Sequence, residues 1–347
     1  MRSDRRPSPT HDATDPATRP TEMRAIVQDT YGSADVLRLA HIARPAPAAN
    51  DVLVQVHAAG LDRGTWHLMT GKPYLQRLAL GVRGPKNPVP GRDVAGTVVA
   101  VGRQVTDFSV GDEVYGIGHG TFAEFTIARA DKLAHKPTNL TFEQASVVPV
   151  SGMTALRALT DVGRVAAGQH VLITGASGGV GTYAVQIAKA LGAHVTGVSS
   201  GPKTDLVRSL GADQVIDYTR QDIADGGKRY DLIIDIAGNP TIARLRRALA
   251  SNGTAVIVGG EGGGNLTGGM NRQLWALTVS PFVRARLAML VPNENAAHLR
   301  RLTELIEKGR LTPASTGPTH SSPLEQAPQA MRHLDEGNAR GKVVITL

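Results

Sequence analysis

The sequence predicts an α/β protein in which a β-rich domain precedes a domain built on a doubly wound parallel sheet. Three observations support this fold class. From 23 to 146, short apolar segments are separated by Gly and Pro, and 52–56 alternates with the period of two that is typical of a half-buried strand. From 169 to 258, strands alternate with amphipathic helices, which indicates parallel pairing through right-handed crossovers. The final apolar segment, 342–347, predicts a strand that returns to the first domain.

The elements follow from the same patterns. A capping box at Thr141 and Gln144 predicts a short helix, which Pro149 ends before a second helix over about 152–159. The Gly-rich segment 261–269 predicts a mobile loop, and 294–307 an amphipathic helix. The parallel strands are predicted at 170–174, 194–199, 214–217, 230–235 and 254–258. The predicted division is a disordered tail 1–22, a β-rich domain 23–146, a parallel-sheet domain 147–290 and a segment 291–347 that returns to the β-rich domain.

Composition narrows the class of protein. The chain has 347 residues, of which 41% are hydrophobic and 20% charged, so it is long enough for two globular domains. It contains no cysteine, which excludes disulfides and thiolate chemistry. No apolar run approaches the roughly 18 residues of a membrane span, and no signal-peptide core begins the chain, so we expect a cytoplasmic protein. The net charge of +8 comes with only 4% aromatic residues, which favours a polyphosphate cofactor over nucleic acid.

The segment 171–181 carries the most specific motif of the chain. A β-branched strand leads into a glycine turn and then into a helix with apolar residues at helical spacing. Such a turn points free backbone N–H groups and the positive end of a helix dipole at one spot, which favours a pyrophosphate. Gly178 would let the backbone approach the phosphates, and Gly181 would let the helix pack on the strand. The predicted dinucleotide contacts are Ala176, Ser177, Gly178, Gly179, Val180 and Gly181.

The end of the next strand, 194–199, predicts which dinucleotide binds. A site for NAD has an acid about 20 residues after the turn, where its carboxylate binds the ribose 2′-hydroxyl. This chain has Ser199, Ser200 and Lys203 instead. Two hydroxyls and a cation suit a 2′-phosphate, so the sequence predicts NADPH as the cofactor. Lys203 also has a simpler interpretation, as a solvated lysine near the start of a helix.

Further segments match one family in the same order. The glycine motif, 210–213, 215–218 and 339–345, together with the β-rich first domain, resemble the medium-chain dehydrogenase/reductase superfamily over 23–347. More narrowly, they resemble its zinc-independent quinone oxidoreductase branch. The resemblance implies a GroES-like catalytic domain, a Rossmann domain, a cofactor in the cleft between them and a homodimer through the nucleotide domain. It also implies an adenosine contact for Tyr218, and nicotinamide-end contacts for Thr154, Val258, Gly259 and Gly260.

Zinc-binding relatives of this fold differ from the chain at their ligand positions. They have Gly-His-Glu where this chain has Gly91, Arg92 and Asp93, and a ligand cysteine near 60–62. Catalytic zinc needs three protein ligands and an open position. An arginine does not ligate and repels the ion, and the 11 histidines have no ligand spacing. The sequence therefore predicts no metal site.

Without a Lewis acid, the expected contribution of the protein is to orient the reactants and exclude water. Quinones and α,β-unsaturated carbonyls suit this chemistry because they accept hydride at carbon, so the expected partner is a small electrophile. In the matching family segment, an Asn followed by Pro or an apolar residue lines the nicotinamide pocket, where this chain has Asp62 and Arg63. Asp62 could act as an acid if burial raises its pKa, or it could pair with an arginine and not titrate. The candidate catalytic residues are Asp62, Trp66, His67 and Tyr74.

Two other functions stay open at this point. One is a reductase of enoyl thioesters or ketones. The other is a non-catalytic protein that binds NADPH as a sensor or a structural cofactor. Turnover with a panel of quinones, enones and alcohols distinguishes them, because each function predicts a different pattern of activity.

Overall fold

The computed structural model describes seven ranges of the chain: 21–238, 240–260, 264–268, 285–291, 293–314, 321–337 and 341–347. Almost all of the predicted tail 1–22 lies outside the described residues. The first strand begins at Glu22, one residue before the predicted start of order at Met23.

The described residues form strands and helices in the following order. The strands are β1 (Glu22–Val27), β2 (Arg38–Ala43), β3 (Asp51–Leu61), β4 (Asp93–Val101), β5 (Glu113–Ile117), β6 (Phe125–Arg129), β7 (Leu133–His135), β8 (His170–Thr174), β9 (His194–Ser199), β10 (Gln214–Asp217), β11 (Tyr230–Asp235), β12 (Leu249–Ile257), β13 (Arg286–Met289), β14 (Ser321–Pro323) and β15 (Val343–Thr346). The α-helices are α1 (Arg63–Thr70), α2 (Arg77–Leu80), α3 (Phe142–Ser146), α4 (Pro149–Arg157), α5 (Gly179–Ala190), α6 (Thr204–Ser209), α7 (Ile242–Ala248), α8 (Gly264–Thr267), α9 (Ala296–Glu307) and α10 (Ala327–Asp335).

The first sheet is mostly antiparallel and follows the order β14-β15-β3-β4-β5-β7, with β6 also paired to β3. The long strand β3 pairs with β4, β6 and β15. Val52, Val54 and Val56 point from it into a buried apolar core, as the alternation predicts. The C-terminal strand is also confirmed, because β15 runs antiparallel to β3. The GroES-like fold is therefore completed by the end of the chain.

The second sheet is parallel, with the order β10-β9-β8-β11-β12-β13. The first four predicted strands have the observed bounds. From β8, the chain builds one side of the sheet with β9 and then β10. It then crosses back, and β11 pairs with the other edge of β8. In a doubly wound sheet this reversal opens a crevice beyond the carboxyl ends of the two central strands. The Rossmann topology thus places a binding crevice after Thr174.

Several element boundaries differ from the predictions. Pro149 begins α4 instead of separating two helices, because proline at the first helical turn loses no hydrogen bond. The strand predicted at 254–258 begins earlier, at Leu249, and pairing resumes at Thr254 after an irregularity. The segment 261–269, predicted as a loop, contains the short helix α8, and its remaining described residue is a turn.

The two sheets share one apolar core through the helices between them. Helix α4 packs against α5 and α9. Tyr115 of the first sheet belongs to the same buried cluster as Ile173 of the second, and its hydroxyl donates to the carbonyl of Leu299, 2.8 Å away. The division proposed from the sequence, after residues 146 and 290, stays a prediction. Among the helices of the described ranges, none has the length and apolar character needed to cross a membrane.

Candidate cofactor and active site

A cleft of about 510 Å³ lies where the two sheets meet. One part is lined by residues that follow the second sheet's strands: Gly175 after β8, Ser199 at the end of β9, and Tyr218 after β10. The other part is lined by Asp62, from the end of β3, and by Lys342, just before β15. The cleft therefore extends from the edge of the parallel sheet to the catalytic domain.

The glycine turn forms the middle of the cleft. Gly175 adopts a left-handed conformation with φ 66°, and Gly178 caps α5. The first N–H groups of a helix have no acceptor within the helix, so α5 directs donors at the cleft. Ser177, Gly178, Gly179 and Val180 line the cleft as the motif predicts.

The glycines at 178 and 181 have different surroundings. A Cβ added to Gly181 would lie 2.1 Å from the carbonyl oxygen of Gly175, so this position needs glycine for the helix to pack on the turn. A Cβ at Gly178 would meet only one atom, at the ordinary distance of 3.4 Å. Gly181 and Ala176 do not line the cleft. Ala176 is fully buried, and its N–H donates to the carbonyl of Val198, so the prediction of a direct contact there is wrong.

The residues predicted for the 2′-phosphate and for the adenosine lie together. Ser199, Ser200, Lys203 and Tyr218 all line the cleft. The Lys203 ammonium donates to the carbonyl of Gly337, 3.0 Å away, and thus bridges to the catalytic domain. It is therefore not merely a solvated lysine.

Charged residues that the sequence reasoning missed also surround this end of the cleft. Asp217 ends β10 beside Ser199, and hydrogen bonds from Thr219 lower the pKa of its carboxyl. Asp217 does not line the cleft. Asp222 and Arg244 do line it, and they form an ion pair with each other. Asp222 and Arg244 are 22 residues apart and lie in different segments, so no local sequence pattern indicates the pair.

Asp62 closes the other end of the cleft as an ionised carboxylate. Its Oδ1 accepts the N–H of Thr65 at 2.8 Å and thereby caps α1, a helix that the sequence analysis did not predict. Its Oδ2 lies 3.4 Å from Nζ of Lys342. Burial acts to raise the pKa of Asp62, but the Lys342 charge, the Thr65 N–H and the Arg92 charge together lower it. The hypothesis of an acid with a raised pKa is therefore wrong.

Lys342 lies between two carboxylates and is only 1% exposed. It forms an ion pair with Asp93, which is completely buried and whose Oδ1 accepts the N–H of Val150 at 2.8 Å. Burial and the neighbouring Asp62 raise the pKa of Asp93 to about 6, even though Lys342 opposes them. Burial acts to lower the pKa of Lys342, but the two carboxylates outweigh it and raise this pKa. Lys342 therefore lies as an ammonium between the two carboxyl groups.

Three predicted catalytic residues do not line the cleft. Trp66 packs against the core of the first sheet. His67 pairs through Nδ1 with the carbonyl of Lys72, at 2.8 Å. Tyr74 is 40% exposed, and the guanidinium of Arg77 lies 4.5 Å from its ring centroid. Trp66 and His67 lie on α1 and Tyr74 follows it, and the catalytic roles of all three stay predictions.

The predicted nicotinamide-end contacts also lie outside the lining. The cleft is lined by Val150 and Ser151, one turn before Thr154 on α4. The N–H groups of Val258 and Gly259 donate to the carbonyl of Asp235 and so are already used. Gly260 does not line the cleft either. Of these four positions, only Thr154 lies on an element that contributes to the lining, through Val150 and Ser151.

The charges at this end do not fit a zinc ion. Arg92 pairs with Glu294 at 2.9 Å, and the carboxylate of Asp93 holds the Lys342 ammonium. A metal ion here would meet two cations. Across the described ranges, no group of three or more His, Asp or Glu side chains is arranged to hold a metal.

Comparison with known proteins agrees with this architecture. The family described as "Alcohol dehydrogenase GroES-like domain" matches residues 48–138, and the family described as "Zinc-binding dehydrogenase" matches residues 210–345. The chain is 34% identical over 340 residues to the chloroplastic quinone-oxidoreductase QR1 of Triphysaria versicolor, covering 93% of this chain and 98% of the relative. It is also 34% identical over 346 residues to the chloroplastic NADPH-dependent alkenal/one oxidoreductase of Arabidopsis thaliana, covering 95% and 81%.

A solved structure gives the same result. The quinone oxidoreductase from Coxiella burnetii superposes with a TM-score of 0.82 at 28% identity, covering 94% of this chain and 99% of that one. The sheet order, the cleft and these similarities lead to one conclusion: the chain belongs to the medium-chain dehydrogenase/reductase superfamily and is an oxidoreductase of its quinone oxidoreductase-like group.

Proposed function

We propose that the protein transfers hydride from NADPH to a quinone or an α,β-unsaturated carbonyl compound. One observation carries the proposal: a single cleft is lined by the glycine turn, by Ser199, Ser200 and Lys203, and by Asp62 of the catalytic domain. When bound, NADPH supplies hydride from C4 of its nicotinamide ring. Relatives named as a quinone oxidoreductase and as an NADPH-dependent alkenal/one oxidoreductase support this substrate class.

The residues of the cleft fit such a cofactor. The open space at Gly178 and the start of α5 suit a pyrophosphate, because backbone donors and the helix dipole face it. Ser199, Ser200 and Lys203 offer two hydroxyls and one cation to a 2′-phosphate. We infer a preference for NADPH over NADH from this set of donors.

The protein's contribution to the reaction is orientation, exclusion of water and electrostatics. Asp62 is ionised, and both of its oxygens have partners, so it does not donate a proton to the reduced product. We infer that water protonates the oxyanion or enolate, and that the reaction needs no zinc. The pairing of Arg92 and Lys342 with carboxylates supports this metal-independent mechanism.

The expected oligomer and location rest on the family resemblance and on the composition. We propose a homodimer through the nucleotide domain, as the family resemblance implies, and a cytoplasmic location. The composition supports this location, although the relatives include proteins named as chloroplastic and mitochondrial.

The test is the oxidation of NADPH with a panel of acceptors. We expect turnover with quinones and enones, and rates at least tenfold lower with enoyl thioesters and simple ketones, because these are less electrophilic. NADP⁺ with simple alcohols should give no reaction. Activity confined to alcohols and ketones would contradict the proposal, and tight NADPH binding without turnover on any acceptor would favour a non-catalytic role.

A further inference from the structure

Three buried charged residues adjoin the end of the cleft that faces the catalytic domain. Asp62, Asp93 and Lys342 are contributed by the end of β3, the start of β4 and the residue before β15, and we call them the buried triad. Asp62 and Lys342 line the cleft. The alkyl chain of Lys342 also passes beside the glycine turn, since a Cβ on Gly179 would lie 3.1 Å from its Cγ. The triad is therefore adjacent to both the turn and the catalytic domain.

The direction of the proposed cofactor places its nicotinamide ring at this triad. If the 2′-phosphate lies at Ser199 and Lys203, and the pyrophosphate at the glycine turn, the ring must lie on the turn's other side. That side of the cleft is the part lined by Asp62, Lys342 and Val150. This step rests on the proposed function.

Two carboxylates and one ammonium give the triad a net charge of −1 when all three groups are ionised. Two neighbouring arginines of the described ranges each pair with a carboxylate. Arg92 pairs with Glu294 at 2.9 Å, and Arg63 of α1 pairs with Asp335 of α10 at 3.2 Å. Tyr183 of α5 also faces Asp93, but burial raises its pKa well above the usual value and keeps it neutral.

Burial strengthens the interaction of this charge with a nearby group. The side chains of Asp93 and Lys342 are 0% and 1% exposed, and that of Asp62 is 11% exposed, so water and salt screen them weakly. An oxidised nicotinamide ring carries a positive charge, whereas a reduced ring is neutral. A fixed negative charge beside the ring thus interacts favourably with the oxidised form alone.

We propose that the buried triad is an electrostatic device that stabilises the oxidised nicotinamide ring and so favours departure of the hydride. Asp62 supplies the negative charge nearest the cleft. Asp93 and Lys342 are not catalytic residues: Lys342 contacts Asp62, and Asp93 balances the charge of Lys342, so the negative charge that remains is that of Asp62.

The test measures binding of NADP⁺ and NADPH separately, by isothermal titration calorimetry, and uses the ratio Kd(NADPH)/Kd(NADP⁺). Asp62→Asn removes the net charge while keeping a good N-cap for α1, so the ratio should fall by roughly three- to tenfold. Asp62→Glu keeps the charge and should keep the ratio within about twofold. The double variant Asp93→Asn with Lys342→Met removes one charge of each sign, and it should also keep the ratio.

The outcomes separate the triad from a merely structural role. If these residues only hold the fold together, Asp62→Asn will weaken the binding of NADP⁺ and of NADPH equally. The ratio of the two Kd values will then be unchanged, and that result overturns the proposal. A double variant whose ratio falls as far as that of Asp62→Asn overturns it as well. If the double variant does not fold, the comparison of Asp62→Asn with Asp62→Glu decides. Failure of the wild-type protein to bind either nucleotide would instead refute the proposed function.

Discussion

Gly178→Ala is expected to weaken NADPH binding by about 10- to 100-fold without destabilising the protein. The added methyl group would meet only one protein atom, at 3.4 Å, and the backbone at Gly178 has φ −86° and ψ 177°, which any residue adopts. The space it fills is the space proposed for the pyrophosphate, so the loss should appear in affinity alone. The measurements are a fluorescence titration with NADPH and a thermal unfolding curve.

Gly181→Ala is the matched control, with the opposite expectation. Its Cβ would lie 2.1 Å from the Gly175 carbonyl oxygen, a backbone atom that cannot move without displacing the turn. We expect a loss of about 3 kcal/mol or more in the free energy of unfolding, measured with urea. NADPH affinity in a Gly178→Ala protein equal to that of wild type would contradict the placement of the pyrophosphate.

Lys203→Ala is expected to weaken NADPH binding by about one to two orders of magnitude while changing NADH binding by less than about threefold. A charge-assisted hydrogen bond contributes roughly 1.5–3 kcal/mol, and only NADPH carries the phosphate that accepts it. Lys203 donates to the Gly337 carbonyl in the structure, so part of the loss in NADPH affinity will be offset by the release of that bond.

The control for this variant is Lys308→Ala, which removes an exposed lysine that pairs with Glu304 at the end of its own helix. It should leave the Kd of both nucleotides unchanged. If Lys203→Ala loses affinity for NADPH and for NADH equally, the lysine supports the domain contact with Gly337 and does not select the 2′-phosphate.

Local patterns were sufficient to predict the parallel sheet and the glycine turn. Strands such as 170–174 are short β-branched runs between glycines, and the residues that position the turn lie within ten positions of each other. Gly181 was assigned its packing role correctly, because the contact it permits is with Gly175, six residues away. A structural feature that depends on residues close together in the sequence can therefore be predicted from the sequence.

The structure of the catalytic end of the cleft depends on contacts between residues that are far apart in the sequence. Lys342 contacts Asp62 and Asp93, which are 280 and 249 residues away, so no spacing rule indicates the triad. Without Lys342, the pKa of Asp62 could be argued in either direction from burial or from a nearby arginine. The helix α1 was missed for a related reason. Its cap is Asp62 itself, which was considered only as a chemical group.

The most direct test of the central claim follows the hydride itself. NADPH deuterated at C4, on each face of the ring in turn, is incubated with the protein and an enone, and the saturated product is examined by NMR. We predict that one of the two labelled samples gives a product with deuterium on the carbon β to the carbonyl group. Unlabelled product from both samples, or oxidation of NADPH without a reduced product, would contradict hydride transfer in this cleft.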